Sequence, residues 1–233
     1  MSGMQTAPYQ QFAHEKLGFE FTNVDLLVTA LTHRSYVNEH RKSVSEHNER
    51  LEFLGDAVLE LVVTDFLFRN YEEAEGILTS WRAALVRTES IGDAGQKLGY
   101  EQLVRMSRGE KQGSERARLQ ILANAFEALI GAIYLERGYD DAAEFIMKHI
   151  ASKLEGILKE GSWRDPKSHL QEVMQRKDGV TPRYVVLEEV GPDHDKVFTL
   201  GVYAGDRLVS KGTGPSKQAA QQEAARAALQ TYA

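Results

Sequence analysis

The sequence contains no cysteine, which excludes both a disulfide framework and a thiolate metal site. That absence fits a reducing cytoplasm. No apolar run approaches the roughly 20 residues needed to span a bilayer. The N-terminus, MSGMQTAPYQQ, lacks the charged and apolar regions of a secretory signal. A cytoplasmic protein without a membrane partner is therefore expected. There is no internal repeat and no low-complexity tract. An excess of positive charge is missing too, since the formal net charge is -6. From Asp165 to Ala233, nine Lys or Arg face nine Asp or Glu, so the whole negative excess lies before residue 165. Net charge does not point to nucleic acid. Any attraction to a polyanion must come from local clusters, whereas surplus acid in the N-terminal part is what a carboxylate metal site would contribute to.

What is present is an ordinary composition, 42% hydrophobic and 27% charged over 233 residues, enough for one large or two modest domains. Apolar residues recur at helical spacing through 12–17, 24–31, 51–68, 80–98, 119–135 and 142–158. Breaks are expected at Gly18, around Glu75-Gly76, at Gly109 to Gly113 and at Gly138. The spacing predicts an all-α domain over 1–158. Residues 159–165 are polar, with Gly161 inside and Pro166 following, and read as a linker. Beyond it the period changes. A helix over 168–175, strands over 183–189, 197–203 and 207–212, and an alanine-rich helix over 216–229 predict an α+β domain of order α-β-β-β-α over 166–233.

The segment HNERLEFLGDAVLEL, starting at His47, loads three carboxylates onto one helix. At roughly 100° per residue, Glu49, Glu52 and Asp56 fall within about 60° of one another. Leu51, Leu54, Val58 and Leu61 project the opposite way. Such a face is either a solvated acidic stripe or half of a binding site. In the stretch LQILANAFEALIGAIYL, from Leu119, Glu127 is the only charged residue among apolar neighbours. A carboxylate in those surroundings needs a buried Arg, a proton or a bound cation. Asn124 precedes it by three residues and Gly131 follows by four, placing an oxygen ligand, a carboxylate and a gap on one strip. If the two strips face each other, they form an oxygen-only cage suited to magnesium or manganese.

These two segments, with ALTHRSY at 30–36 upstream, strongly resemble bacterial ribonuclease III, an endonuclease of double-stranded RNA. The resemblance covers nearly the whole chain in order. In the C-terminal part, DPKSHLQE and the GTGPSKQAA turn resemble a double-stranded-RNA-binding domain. It implies metal-dependent hydrolysis leaving 5′-phosphate and 3′-hydroxyl ends with short 3′ overhangs. Ribosomal RNA precursors are the implied substrates. Divalent metal can activate water, neutralise the phosphoryl oxygens and assist the departing 3′ oxygen without a nucleophilic side chain. By resemblance Glu52, Asp56, Asn124 and Glu127 are the metal positions, with Asp56 and Glu127 catalytic and Mg2+ the cofactor, Mn2+ a substitute. Asn124 departs from the usual acid, removing one negative charge. A silent centre that only binds RNA is the alternative.

Glu49 and Glu75 are implied in supporting roles, although Glu75 also reads as a plain loop glutamate. Glu60 reads as a surface or helix-pairing residue, and His33 and His47 as structural hydrogen-bonding groups. The resemblance implies a two-fold homodimer in which each centre cuts one strand. Phe53 is then a dimer anchor, or else a core side chain. For the C-terminal domain, Gln171, Gln175 and His194 are implied minor-groove contacts. Ser216 and Lys217, at a helix N-terminus, are implied phosphate contacts. Gln218 stands where many relatives carry a second Lys, and Lys211 is a candidate to compensate.

Overall fold

The two longest helices, of 22 and 23 residues, form around the apolar-patterned stretches 51–68 and 119–135. The computed structural model describes residues 3–192 and 196–232. The chain divides into two units, Met1–Glu160 and Gly161–Ala233.

Among its described residues the first unit is helical. It comprises α1 (Gly3–Phe12), which runs into a π-helical turn at Ala13–Leu17, then α2 (Val24–Ala30), α3 (Arg34–Glu39) and α4 (Glu49–Asn70). There follow α5 (Glu75–Val86), α6 (Thr88–Leu98), the short α7 (Arg108–Lys111), α8 (Glu115–Arg137), α9 (Tyr139–His149) and α10 (Leu154–Glu160). The expected single helix over 80–98 is two helices. Arg87, with φ -66° and ψ 151°, is extended and separates them. No Gly or Pro marks that corner in the sequence.

The core is built around α8, whose residues 121–133 are buried apart from Asn124 and Glu127, which are half-buried. It packs most extensively on α4, then on α6, α9 and α2. By length and composition α8 alone among the described helices could cross a bilayer, with 61% of its apolar window buried inside the protein. This corrects the reading that no run approached that length. Its apolarity is explained by neighbours on all sides. The α4–α8 crossing is close because each helix offers a glycine to the other's main chain. A Cβ at Gly131 would stand 2.3 Å from the Leu51 carbonyl oxygen. The gap expected beside Glu127 is thus filled by α4 itself.

The start of α4 is tied down by the upstream motif. The buried Asn48 donates its backbone N–H to the Thr32 carbonyl at 2.9 Å, and His33 donates to that of Arg105 at 2.8 Å. On α4 the buried side is Leu51, Val58, Leu59, Val62, Val63 and Leu67. Leu61, expected with them, is 57% exposed. It lies about 20° from Phe68 around the helix, and Phe53 and Phe68 are 81% and 77% exposed.

The second unit has the order α11 (Pro166–Asp178), β1 (Pro182–Val190), β2 (Val197–Ala204), β3 (Arg207–Gly214) and α12 (Lys217–Tyr232). The strands form an antiparallel sheet in the order β1-β2-β3. Asp165 caps α11 by accepting from the Ser168 N–H at 2.9 Å, and Pro166 opens the helix where its missing N–H costs nothing. Small side chains let α12 lie close to the sheet. Ala224, Ala225 and Ala228 share a core with Leu170, Met174 and Val202.

Candidate active site

Three carboxylates from the two central helices approach one another at the α4–α8 crossing. Glu52 and Asp56 lie one turn apart on α4, and Glu127 comes from α8. The Glu127 carboxyl is pushed up to about 7 from 4.5, chiefly by burial and then by the charges of Asp56 and Glu52. Burial also raises Glu52, helped by Glu49 and Asp56, while hydrogen bonding with Asn124 works the other way. Among the described residues, no lysine or arginine contributes to either shift. The buried Arg considered as a partner for Glu127 is not found among the described residues. The cluster therefore carries unbalanced negative charge at a half-buried place, where the charged form is costly unless a cation arrives.

The oxygen-only donor set suits a hard divalent cation. Among the described residues, no three His, Cys, Asp or Glu side chains stand close enough to grip one ion as they lie. Asn124, half-buried on α8, faces Glu52 and accepts a hydrogen bond from Gln120 Nε2 at 2.7 Å. Gln120 is a neighbour of the site that its residue type alone does not mark. Its position one turn before Asn124 was the available signal.

The supporting residues fall into two groups. Glu49, at the first turn of α4, is exposed and lies 3.4 Å from Arg34, with His47 Nδ1 at 3.8 Å. His33 caps α3, its Nδ1 2.7 Å from Ser35 Oγ, which is the hydrogen-bonding role expected of it. His47 differs, because its buried Nδ1 has no hydrogen-bond partner among the described residues. Glu75 begins α5 and lines a groove of about 470 Å3 with Thr64, Leu67, Phe68, Leu78 and Arg82. Glu60 pairs helices, its carboxylate 3.0 Å from Arg82 Nε. Phe53 is not a core side chain, since it projects from α4 into open space.

In the second unit, Gln171 and Gln175 are exposed one turn apart on α11. Ser216 caps α12, its Oγ accepting from the Ala219 N–H at 3.1 Å, and Lys217 is the first residue of that helix. The Lys217 ammonium lies 2.8 Å from the Glu189 carboxylate on β1 and over the Phe198 ring. Nothing in the residue pattern announces that pairing. His194 lies outside the described residues.

Residues 23–154 match the model of the ribonuclease-III-like family, and residues 166–232 match the double-stranded RNA binding motif. The chain belongs to the ribonuclease III family. It is 44% identical over 215 residues to ribonuclease 3 of Carboxydothermus hydrogenoformans, covering 92% of each chain. To ribonuclease 3 of Listeria innocua it is 42% identical, covering 92% of this chain and 94% of that one. A solved nuclease domain of ribonuclease III from Campylobacter jejuni is 40% identical with a TM-score of 0.53, covering 60% of this chain and 96% of that one. That structure is described as having flexibility in a region involved in dimer formation. In this ribonuclease III chain the family-model matches fall one in each compact unit.

Proposed function

We propose that Glu52, Asp56 and Glu127 form the centre at which this ribonuclease III chain cuts double-stranded RNA, with Asn124 bordering them. The chain is an endoribonuclease with a double-stranded-RNA-binding domain, and nucleases of this family need a divalent metal. The proposal takes Mg2+ as that metal, with Mn2+ as a substitute. The observation that carries the site assignment is the half-buried Glu127 on α8, whose carboxyl is pushed up to about 7 by burial and then by the charges of Asp56 and Glu52 on α4. A divalent ion bound there supplies charge neutralisation at the phosphoryl oxygens and a more acidic water.

The residues themselves do the placing. Glu52 and Asp56, on a helix locked at its start by Asn48 and at its crossing by Gly131, fix two donors in line. Glu127, half-buried, holds the third where surrounding apolar atoms strengthen electrostatics. The proposed products are 5′-phosphate and 3′-hydroxyl ends, and the proposed role is processing of ribosomal RNA precursors and other RNAs. Residues 1–158 are proposed as the catalytic domain, 159–165 as the linker and 166–233 as the RNA-binding domain. In that last domain Gln171, Gln175, Ser216 and Lys217 are proposed to meet RNA, together with His194. The exposed stripe of Phe53, Leu61 and Phe68 supports a homodimer, because a second copy would cover apolar surface that one chain leaves in water. A cytoplasmic location is proposed on the absence of cysteine.

The test is cleavage of a labelled hairpin in magnesium beside binding in calcium. Asp56→Asn or Glu127→Gln should abolish cutting and leave binding within a few fold. Retained magnesium-dependent turnover in either variant would place the centre elsewhere. Binding without cutting in the unaltered protein would favour the silent-centre reading.

A further inference from the structure

α6 meets α8 through two glycines. A Cβ at Gly92 would lie 3.0 Å from the Leu119 carbonyl oxygen, and one at Gly95 would collide with the Tyr100 hydroxyl and stand 3.4 Å from the Leu122 carbonyl oxygen. Gly99, with φ 84°, ends α6 in the left-handed region and turns the chain so that Tyr100 comes back against Gly95. Tyr100 is fully buried, its ring centroid 6.0 Å from that of Phe12 in an edge-on arrangement. A phenol in such a place needs a hydrogen-bond partner. It donates to the Leu122 carbonyl at 2.7 Å. Leu122 lies inside α8, where the helix pairs that carbonyl with the Phe126 N–H, so the phenol takes its second lone pair.

The glycines decide how near the two helices come, whereas a directional bond to one carbonyl decides where α8 stands along its axis. Glu127 follows Leu122 on the same rigid helix, roughly 7.5 Å further along. We propose that Tyr100 is a positioning residue of the cleavage centre: its hydroxyl, wedged between Gly95 and the Leu122 carbonyl, fixes the height at which α8 presents Glu127 to Glu52 and Asp56. The proposal rests on the reading of those three carboxylates as the metal centre. Tyr100 acts through the main chain of α8. Losing its hydroxyl leaves the ring packed and the Leu122 carbonyl still paired within its helix, so the fold is kept while the register of α8 is loosened. Ligand distances around a metal ion hold to within about 0.2 Å. A small slip of α8 therefore registers as lost metal affinity.

The experiment measures Mn2+ dissociation constants for the full chain without RNA, by electron paramagnetic resonance of free Mn2+. Four proteins form a cycle: unaltered, Tyr100→Phe, Gly95→Ala and the double variant, with Asp56→Asn alongside. A circular dichroism melt checks that each is folded at the temperature of the titration. Tyr100→Phe should weaken Mn2+ binding about three- to tenfold, less than the loss of a group that bonds a ligand directly. Gly95→Ala drives a methyl against the hydroxyl and should weaken binding about tenfold in the unaltered background. In the Tyr100→Phe background the hydroxyl is gone, and the same change should cost less than threefold. A folded Tyr100→Phe variant that melts lower but binds Mn2+ as tightly as the parent overturns the proposal, because the phenol then supports the fold alone. An equal loss from Gly95→Ala in both backgrounds overturns it too. Undiminished Mn2+ binding by Asp56→Asn would show instead that the centre is misplaced, and the proposal would fall with it.

Discussion

Gly55 stands directly against the main chain of Glu127: a Cβ built on Gly55 would lie 1.7 Å from the Glu127 carbonyl oxygen. The carboxylates on α4 and the one on α8 are thus held in proximity by main-chain packing. Gly55→Ala must push the helices apart, and the atom it meets is backbone, which cannot swing away. The expected loss is about 2 kcal/mol or more, seen in denaturant unfolding, with cleavage falling further than stability alone explains. Unchanged stability would mean that the helices do not cross this closely.

The raised Glu127 pKa gives a pH signature in protein stripped of metal with a chelator. Its carboxyl titrates near 7 when folded against 4.5 as the reference. The folded state therefore holds that proton more tightly than the unfolded chain. Below pH 4.5 both states are protonated and the contribution is fully present. It is lost as pH rises toward 7. Glu127→Gln should accordingly gain melting temperature relative to the parent between these limits, by a few degrees, and the gap should level off above pH 7. A gap that closes as pH rises would mean that a cationic group balances Glu127.

Much of this geometry was legible in the sequence, for identifiable reasons. α8 announces itself because one acid among apolar residues is costly, and α4 because its acids share a face. The corner at Arg87 was not legible, since no Gly or Pro breaks the pattern and the tertiary fold alone turns the chain there. Nor was the fate of Phe53, because helical spacing cannot separate an apolar side chain that faces the core from one that faces outward. The orientation of the Asn124 amide was hidden for a different reason. It depends on a hydrogen bond from Gln120, and a residue type states what it can donate without stating to whom.

Phe53 is so exposed on the single chain that its removal should leave the subunit's own fold intact. Phe53→Ala should weaken self-association by at least tenfold in sedimentation at micromolar protein, with the helical content of the monomer unchanged. A dimer of undiminished strength would make Phe53 an ordinary surface residue. Loss of helical signal in the monomer would show that it supports the subunit instead.

Lys217 and Glu189 make a testable pair in the RNA-binding domain. Phosphate must compete with a carboxylate 2.8 Å from the ammonium. Glu189→Gln should free the lysine, tighten binding of a double-stranded RNA about threefold or more at low salt, and steepen the dependence on salt by about one ion. Fluorescence anisotropy over a salt series reads both. An unchanged slope would mean that Lys217 does not meet phosphate.

The apolar character of α8 also bears on how the chain is made. A helix of this composition, leaving the ribosome alone, resembles cargo for membrane insertion or a seed for aggregation. Its principal cover, α4, together with α2 and α6, is encoded upstream and has already been synthesised when α8 emerges. The order of the elements along the message therefore shortens the time for which the most insoluble segment of the protein is left without neighbours.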